Sequence, residues 1–203
     1  PMIISTGMAD SDEIQEAIEA AREGGCKELA ILHCVSGYPA PAGDYNLRTL
    51  VDMQQQFGLI TGLSDHTIDN TTAITSIALG ASIVEKHVTL DRNGGGPDDS
   101  FSLESAELEA LCLGAKTAWQ ALGEVGYGRK SSEVANVKFR RSLYFVKALK
   151  AGDIITRDAV RSIRPGYGMV PKYIEELIGS KVNVDLKLGT PVSWDVIVKT
   201  SNL

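Results

Sequence analysis

The sequence predicts an α/β protein built on a parallel sheet, followed by a small β-rich domain. Three observations carry this. Short apolar strands alternate with amphipathic helices through residues 1–123, the texture changes to glycines, charges and short strands after Gly123, and the chemically interesting polar residues gather where the strands end. Four strand–helix units in succession imply parallel pairing with right-handed crossovers. On pattern alone, half of an eight-stranded β/α barrel and a small doubly wound sheet fit equally.

Met2 to Ser5 reads as the first strand. Asp10 with Glu13 three residues later forms a capping-box signature, and Ile14, Ala17, Ile18 and Ala21 recur at helical spacing before Gly24-Gly25. The second strand spans Leu29 to Val35, and the second helix Leu47 to Phe57. Leu59 to Leu63 is the third strand, followed by a helix from Asn70 to Leu79. Ser82 to Leu90 is the fourth. A long helix then carries Leu108, Leu111, Ala115, Ala118 and Leu122 on one face and closes at Gly123. Residues 124–141 read as a linker. Residues 142–203 form the small domain: a strand at Leu143 to Val146, a turn at Ala151-Gly152-Asp153, a short helical stretch at Arg157 to Val160, a strand at Arg161 to Ile163, a helix from Pro171 to Ile178, and a last β-rich segment ending Thr190-Pro191-Val192.

Composition bounds the function. A chain of 203 residues with 43% hydrophobic content can pack a core, and a net charge of -6 disfavours a nucleic-acid or other polyanion partner. No apolar run approaches the ~20 residues of a membrane span. Three scattered cysteines, Cys26, Cys34 and Cys112, lack metal-type or disulfide spacing, so a reducing, cytoplasmic setting is expected. The chain opens at Pro1, inside strand-like sequence, and so reads as a fragment or processed chain.

In parallel β/α sheets the functional face lies at the C-terminal ends of the strands. There the sequence places Ser5-Thr6-Gly7, Ser36-Gly37-Tyr38, Ser64-Asp65-His66 and Glu85-Lys86-His87. Strand side chains alternate, so Ser64 and His66 share a face, as do Glu85 and His87. Two imidazoles, a hydroxyl and a carboxylate on one face suit a divalent metal such as Mn, and fit a thiolate-type zinc site poorly. Such a metal polarises an aldehyde oxygen. The competing reading is a pair of hydrogen-bonded structural histidines. His33 has the opposite parity and is expected to face the helices. Ser5, Ser36 and Ser64, with loop N–H groups, suit a phosphate or carboxylate, or else are caps and turn formers. Asp98, after a glycine-rich run, suits a sugar hydroxyl, and Arg164 on its Pro-Gly turn suits an anion or a hydroxyl acceptor. A mobile loop and a solvated arginine are the alternatives.

Taken in order, Ile4-Ser5-Thr6-Gly7-Met8-Ala9, His33-Cys34-Val35-Ser36-Gly37-Tyr38-Pro39, Gly62-Leu63-Ser64-Asp65-His66-Thr67, Glu85-Lys86-His87, Pro97-Asp98, Ser102-Leu103-Glu104 and Arg164-Pro165-Gly166 resemble the sialic acid (nonulosonic acid) synthase family over essentially the whole chain. The resemblance implies the second half of a TIM-type β/α barrel, with the first four units absent, then an antifreeze-like (SAF, β-clip) domain. It implies condensation of phosphoenolpyruvate with an N-acetylated amino-sugar aldose, releasing phosphate. By resemblance Ser5, Ser36 and Ser64 bind the phosphoenolpyruvate phosphate and its surroundings, and Tyr38 and Asp98 line the sugar site. His66 and His87 would hold Mn or Mg, and Glu85 would face the reaction centre. Arg164 would reach the barrel of the partner in a homodimer. Tyr38-Pro39-Ala40-Pro41, Gly94-Gly95, Phe101-Ser102-Leu103, Leu122-Gly123-Glu124-Val125 and Arg161-Ser162-Ile163-Arg164 lean toward the pseudaminic acid branch, whereas Pro97 leans toward the N-acetylneuraminate and legionaminate branch. A fragment holding half the phosphate site is expected to be inactive alone. The rival classes are a metal-dependent barrel aldolase or isomerase, and a non-catalytic sugar-binding module.

Overall fold

A computed structural model describes residues 1–198, so the last five residues of the domain expected over 142–203 lie outside the described part. The chain divides into two compact units, Pro1–Val125 and Gly126–Leu203.

The first unit is a curled, four-stranded parallel sheet in the order β1 (Met2–Ser5), β2 (Leu29–Cys34), β3 (Ile60–Asp65), β4 (Ile83–Lys86). It is half of a β/α barrel. Helices α1 (Ser11–Glu23), α2 (Thr49–Phe57), α3 (Thr71–Ala78) and α4 (Ser105–Leu122) complete the four units. Helix α1 starts where the sequence signature puts it: the Asp10 carboxylate accepts from the N–H groups of Asp12 and Glu13, and Glu13 accepts from the N–H of Asp10. Its buried face sets Ile18, with Ile14 and Ala21, against Ile4, Leu29 and Ile31 of β1 and β2 and Met53 of α2.

The strand boundaries differ from the sequence expectation in a way that matters for the site. Strand β3 continues through Ser64 and Asp65 because Ser64 is held between Cys34 and Glu85, and Asp65 pairs with Lys86. Strand β4 ends at Lys86 rather than Leu90. Past that residue β3 has no partner left to offer, and the chain pairs with Leu103 instead: Leu103 N–H donates to the His87 carbonyl, and Thr89 N–H to that of Leu103.

Alternation gives the sheet two unlike faces. Ile31 and Leu63 point toward the helices and are buried in their cores, with Ile4 partly buried on the same face, whereas Ile3 and Ile60 on the opposite face are 56% and 57% exposed. Two charges sit on the helix side, Asp65 and Lys86, with side-chain exposures of 0% and 3%. Lys86 Nζ donates to Asp65 Oδ2 at 2.8 Å, to the Thr67 carbonyl, and to the Asp69 carbonyl at 2.9 Å. Asp65 in turn accepts from Thr67 N–H at 2.9 Å and from Thr67 Oγ1 at 3.1 Å. Every oxygen and proton of the pair that burial removes from water is thus re-bonded.

The second unit is small and β-rich. Strands β5 (Ser142–Phe145) and β6 (Val160–Ile163) pair antiparallel, as do β7 (Lys181–Val182) and β8 (Ile197–Val198), and the one-turn helix α5 (Ile174–Leu177) lies between them in sequence. Leu143, Phe145, Ile155, Val160, Leu177, Val182 and Val192 form its core. Residues expected as a plain linker hold a 3-10 helix, Ser131–Phe139, within this unit. No described helix is long and apolar enough to cross a membrane.

Removing one member of the buried pair leaves the other charge unpaired, which typically costs about 3–5 kcal/mol. We expect Lys86→Met to destabilise by that amount in urea unfolding. In a double-mutant cycle with Asp65→Leu the coupling should be about 2 kcal/mol. A coupling near zero would show that the pair does not act as a unit.

Candidate active site

The open face of the sheet gathers the polar strand ends. Cys34, Ser64 and Glu85 form one row across β2, β3 and β4, and His66 and His87 lie two residues further along. Ser64 Oγ donates to Glu85 Oε1 at 2.7 Å, and Ser5 Oγ approaches the same oxygen at 3.4 Å. The hydroxyls expected to meet a phosphate are therefore turned toward a carboxylate. Ser36 lies two residues past the end of β2, its hydroxyl beside Gly7. A Cβ on Gly7 would stand 2.1 Å from Ser36 Oγ, so a larger residue there would force the Ser36 hydroxyl to turn away.

The imidazoles of His66 and His87 lie 5.2 Å apart between ring centroids. His66 is buried and His87 half-buried. Tyr38, beside a cis bond to Pro39, stacks on His66 at 4.3 Å, and Phe101 stands edge-on to His87 at 5.3 Å. His66 Nδ1 lies 2.8 Å from the Val35 carbonyl oxygen. A carbonyl only accepts, so Nδ1 carries the proton, and in the neutral ring Nε2 keeps its lone pair. Asp98 Oδ2 is 3.6 Å from His87 Nδ1. Among the described residues no three His, Cys, Asp or Glu side chains form a metal-holding group. The side chains that could hold a metal here are the two imidazoles.

His33 bonds the Tyr45 carbonyl and lines a cavity of about 190 Å³ with Ile14, Asp52 and Met53 of the helices, so it does face the helix side. The structure thus brings Ser5, Ser64, Glu85, His66, His87, Tyr38 and Asp98 to the ends of β1–β4. Arg164 belongs to the second unit, where it is exposed beside a cis bond to Pro165. Its loop is tied down by Ser142, which donates to the Pro165 carbonyl at 2.7 Å and accepts from Gly168 N–H at 2.9 Å. Gly168 is required there, since a Cβ would fall 2.2 Å from the Leu143 carbonyl oxygen.

Sequence reasoning missed Tyr45, Phe101 and the Asp65–Lys86 pair. The pair was findable, because two charges of helix-facing parity must be partnered if they are buried. Tyr45 carried no signal. It lies in the 3-10 turn Ala42–Tyr45, is fully buried, and burial pushes its hydroxyl up to about 12. It remains a protonated donor throughout the neutral range.

A parallel β/α half-barrel with polar strand ends, followed by a small β-rich unit, defines the class. Residues 1–127 match the model of the NeuB family and residues 140–198 that of the SAF domain, and the chain belongs to the NeuB family. Among its relatives are a pseudaminic acid synthase of Campylobacter jejuni subsp. jejuni serotype O:23/36, 35% identical and matched over 93% of this chain and 55% of the relative. An N,N'-diacetyllegionaminic acid synthase of C. jejuni serotype O:2 is 37% identical over 88% of this chain and 54% of the relative. The chain spans about half the length of these relatives. The crystal structure of spore coat polysaccharide biosynthesis protein SpsE of Bacillus subtilis superposes with a TM-score of 0.57 at 29% identity, covering 99% of this chain and 62% of that one.

Removing the Ser142 hydroxyl leaves Gly168 N–H without its acceptor, a loss of about 1–3 kcal/mol. Ser142→Ala should therefore raise amide exchange at Gly168 by roughly tenfold or more, each tenfold being about 1.4 kcal/mol. An unchanged rate would mean that Ser142 does not hold the Arg164 loop.

Proposed function

We propose that this chain serves a phosphoenolpyruvate-dependent nonulosonic acid synthase, joining phosphoenolpyruvate to an N-acetylated amino-sugar aldose, with pseudaminic acid as product. The observation that carries this reading is the convergence of Ser64, Glu85, His66 and His87 on one open face, at the strand ends of a NeuB-family half-barrel. In the reaction C3 of phosphoenolpyruvate bonds to the aldehyde carbon, whose oxygen becomes a hydroxyl. Water adds at C2, the C2–O bond to phosphate breaks, and phosphate leaves.

His66 and His87 would hold a divalent metal, Mn or Mg, through imidazole nitrogens, and His66 Nε2 is left with a lone pair by the Val35 contact. A metal in such a place acts as a Lewis acid on an aldehyde oxygen. Ser5, Ser36 and Ser64 supply hydroxyls at adjoining strand ends for the phosphate group. Glu85, oriented by Ser64 and Ser5, would take the proton of the water that adds at C2. Tyr38 and Asp98 flank the imidazoles on the side left for the sugar. Arg164, exposed on a pinned loop, would read the sugar in the barrel of a partner subunit, which makes the working form a homodimer. A cytoplasmic location accords with three free thiols.

The identities to pseudaminic and legionaminic relatives, 35% and 37%, keep legionaminic acid as a second reading of the product. The full polypeptide carrying this chain should be incubated with phosphoenolpyruvate, Mn and, in turn, N-acetylmannosamine, the legionaminate precursor and the altrose-configured 2,4-diacetamido precursor. We expect phosphate release with the altrose sugar, reduced on the order of 10²-fold or more in His66→Ala and in His87→Ala. Release with another sugar moves the chain to that branch. Absence of release with all three refutes the synthase reading in favour of an aldolase or a sugar-binding module.

A further inference from the structure

Three separate bonds fix His66, and all three come from the connection between β2 and α2. The His66 carbonyl accepts from Ala40 N–H at 3.0 Å, its N–H donates to Tyr45 Oη at 2.7 Å, and its Nδ1 donates to the Val35 carbonyl at 2.8 Å. Tyr45 Oη in turn donates to the Ser64 carbonyl at 3.2 Å. One buried hydroxyl therefore bridges the two peptide groups that flank Asp65. It sets the turn that aims Ser64 Oγ at Glu85 and the His66 ring at Val35 and Tyr38. The other end of Tyr45 is anchored as well, through its carbonyl to His33 Nε2 and through its ring edge-on to His33 at 6.1 Å. His33, helix-facing and outside the site, gains a purpose: it braces the residue that braces His66.

We propose that Tyr45 is a positioning residue for His66, its hydroxyl holding the β3 end so that the imidazole keeps its Nδ1–H tautomer and presents Nε2 to the open face. This rests on the ligand role assigned to His66 above, but the bonds themselves do not. Groups that orient a metal-binding histidine from behind typically contribute 10- to 100-fold in metal affinity or activity when removed. Phenylalanine keeps the ring and deletes only the bridge, leaving Ser64 O and His66 N–H each short of one partner.

The test compares the full polypeptide with its Tyr45→Phe variant. Ile18→Val, on the buried face of α1, controls for plain destabilisation. Long-range ¹H–¹⁵N imidazole spectra, recorded without metal, read the His66 tautomer directly. We expect a single Nδ1–H form in the parent and in Ile18→Val, and a mixture of tautomers in Tyr45→Phe. Alongside it, Mn titration followed by electron paramagnetic resonance should show the dissociation constant rising about tenfold or more in Tyr45→Phe. The KM for phosphoenolpyruvate should stay within about twofold while kcat falls, the pattern of a lost orienting interaction rather than lost substrate binding. An unchanged His66 spectrum in Tyr45→Phe, or an Nε2–H form in the parent, overturns the proposal whatever the activity. If the parent releases no phosphate and binds no Mn, the synthase reading fails, and the tautomer spectra still decide the role of Tyr45.

Discussion

The buried ion pair between Asp65 and Lys86 is the constraint on which the site depends. Strand side chains alternate, so the residues that point to the open face, Ser64 and His66 on β3 and Glu85 and His87 on β4, are separated by residues that must point into the helices. At the strand ends those intervening residues are charged. A slip of β4 by one position along β3 would separate the two charges in a place without water and would turn Glu85 and His87 away from the open face. The interaction that punishes a slip is thus interleaved, residue by residue, with the groups whose alignment matters. Lys86 also bonds the Thr67 and Asp69 carbonyls, carrying the same restraint past the end of β3 into the turn that follows.

The open face is held from the other direction by the connection between β2 and α2. Ala40, Tyr45 and Val35 all bond His66, and Tyr38 lies on its ring. A loop that packs a fully buried tyrosine into the core beside β3, against Leu63, Ala73 and Leu111, has little freedom of its own. It can therefore fix a neighbouring strand end as firmly as another strand would. His66 is restrained on both sides, by an ion pair behind the sheet and by a packed loop at its end. His87 has Phe101 and Asp98 as neighbours and remains half-buried. The two imidazoles differ in rigidity for reasons visible in their surroundings.

Much of this was legible in the sequence because it follows from local rules. The capping box at Asp10, the strand–helix alternation and the parity of Ser64, His66, Glu85 and His87 each depend on residues close together in the chain. The end of β4 was misjudged because the apolar residues Val88 and Leu90 continue a strand-like pattern, and only pairing with Leu103 redirects that chain. The length of β3 was underestimated for the converse reason: Ser64 and Asp65 look like turn formers, and burial with pairing to Glu85 and Lys86 of β4 keeps them in the strand. Tyr45 could not be read at all. Its importance lies in where its hydroxyl lands, 21 residues away just past the end of β3, and no local periodicity reports that.

The remaining tension lies at Glu85. A carboxylate that collects hydrogen bonds from Ser64 and Ser5 is held in place, but the same two hydroxyls then have no proton left for a phosphate. Each hydroxyl owns one proton and can rotate, so an arriving phosphate and Glu85 compete for the same donors. A dianion beside a carboxylate also repels it, and the cost is greatest where water is excluded. Cationic groups or backbone N–H groups must offset that repulsion, and around Ser5, Ser64 and Glu85 the described strand ends supply no lysine or arginine side chain to the open face, Lys86 being committed to Asp65 behind it. Under the proposed function the serines would act as adjustable donors between a fixed carboxylate and an anion. In that reading the charge that makes the anion welcome would come from a metal at the imidazoles or from basic groups outside these four strand ends.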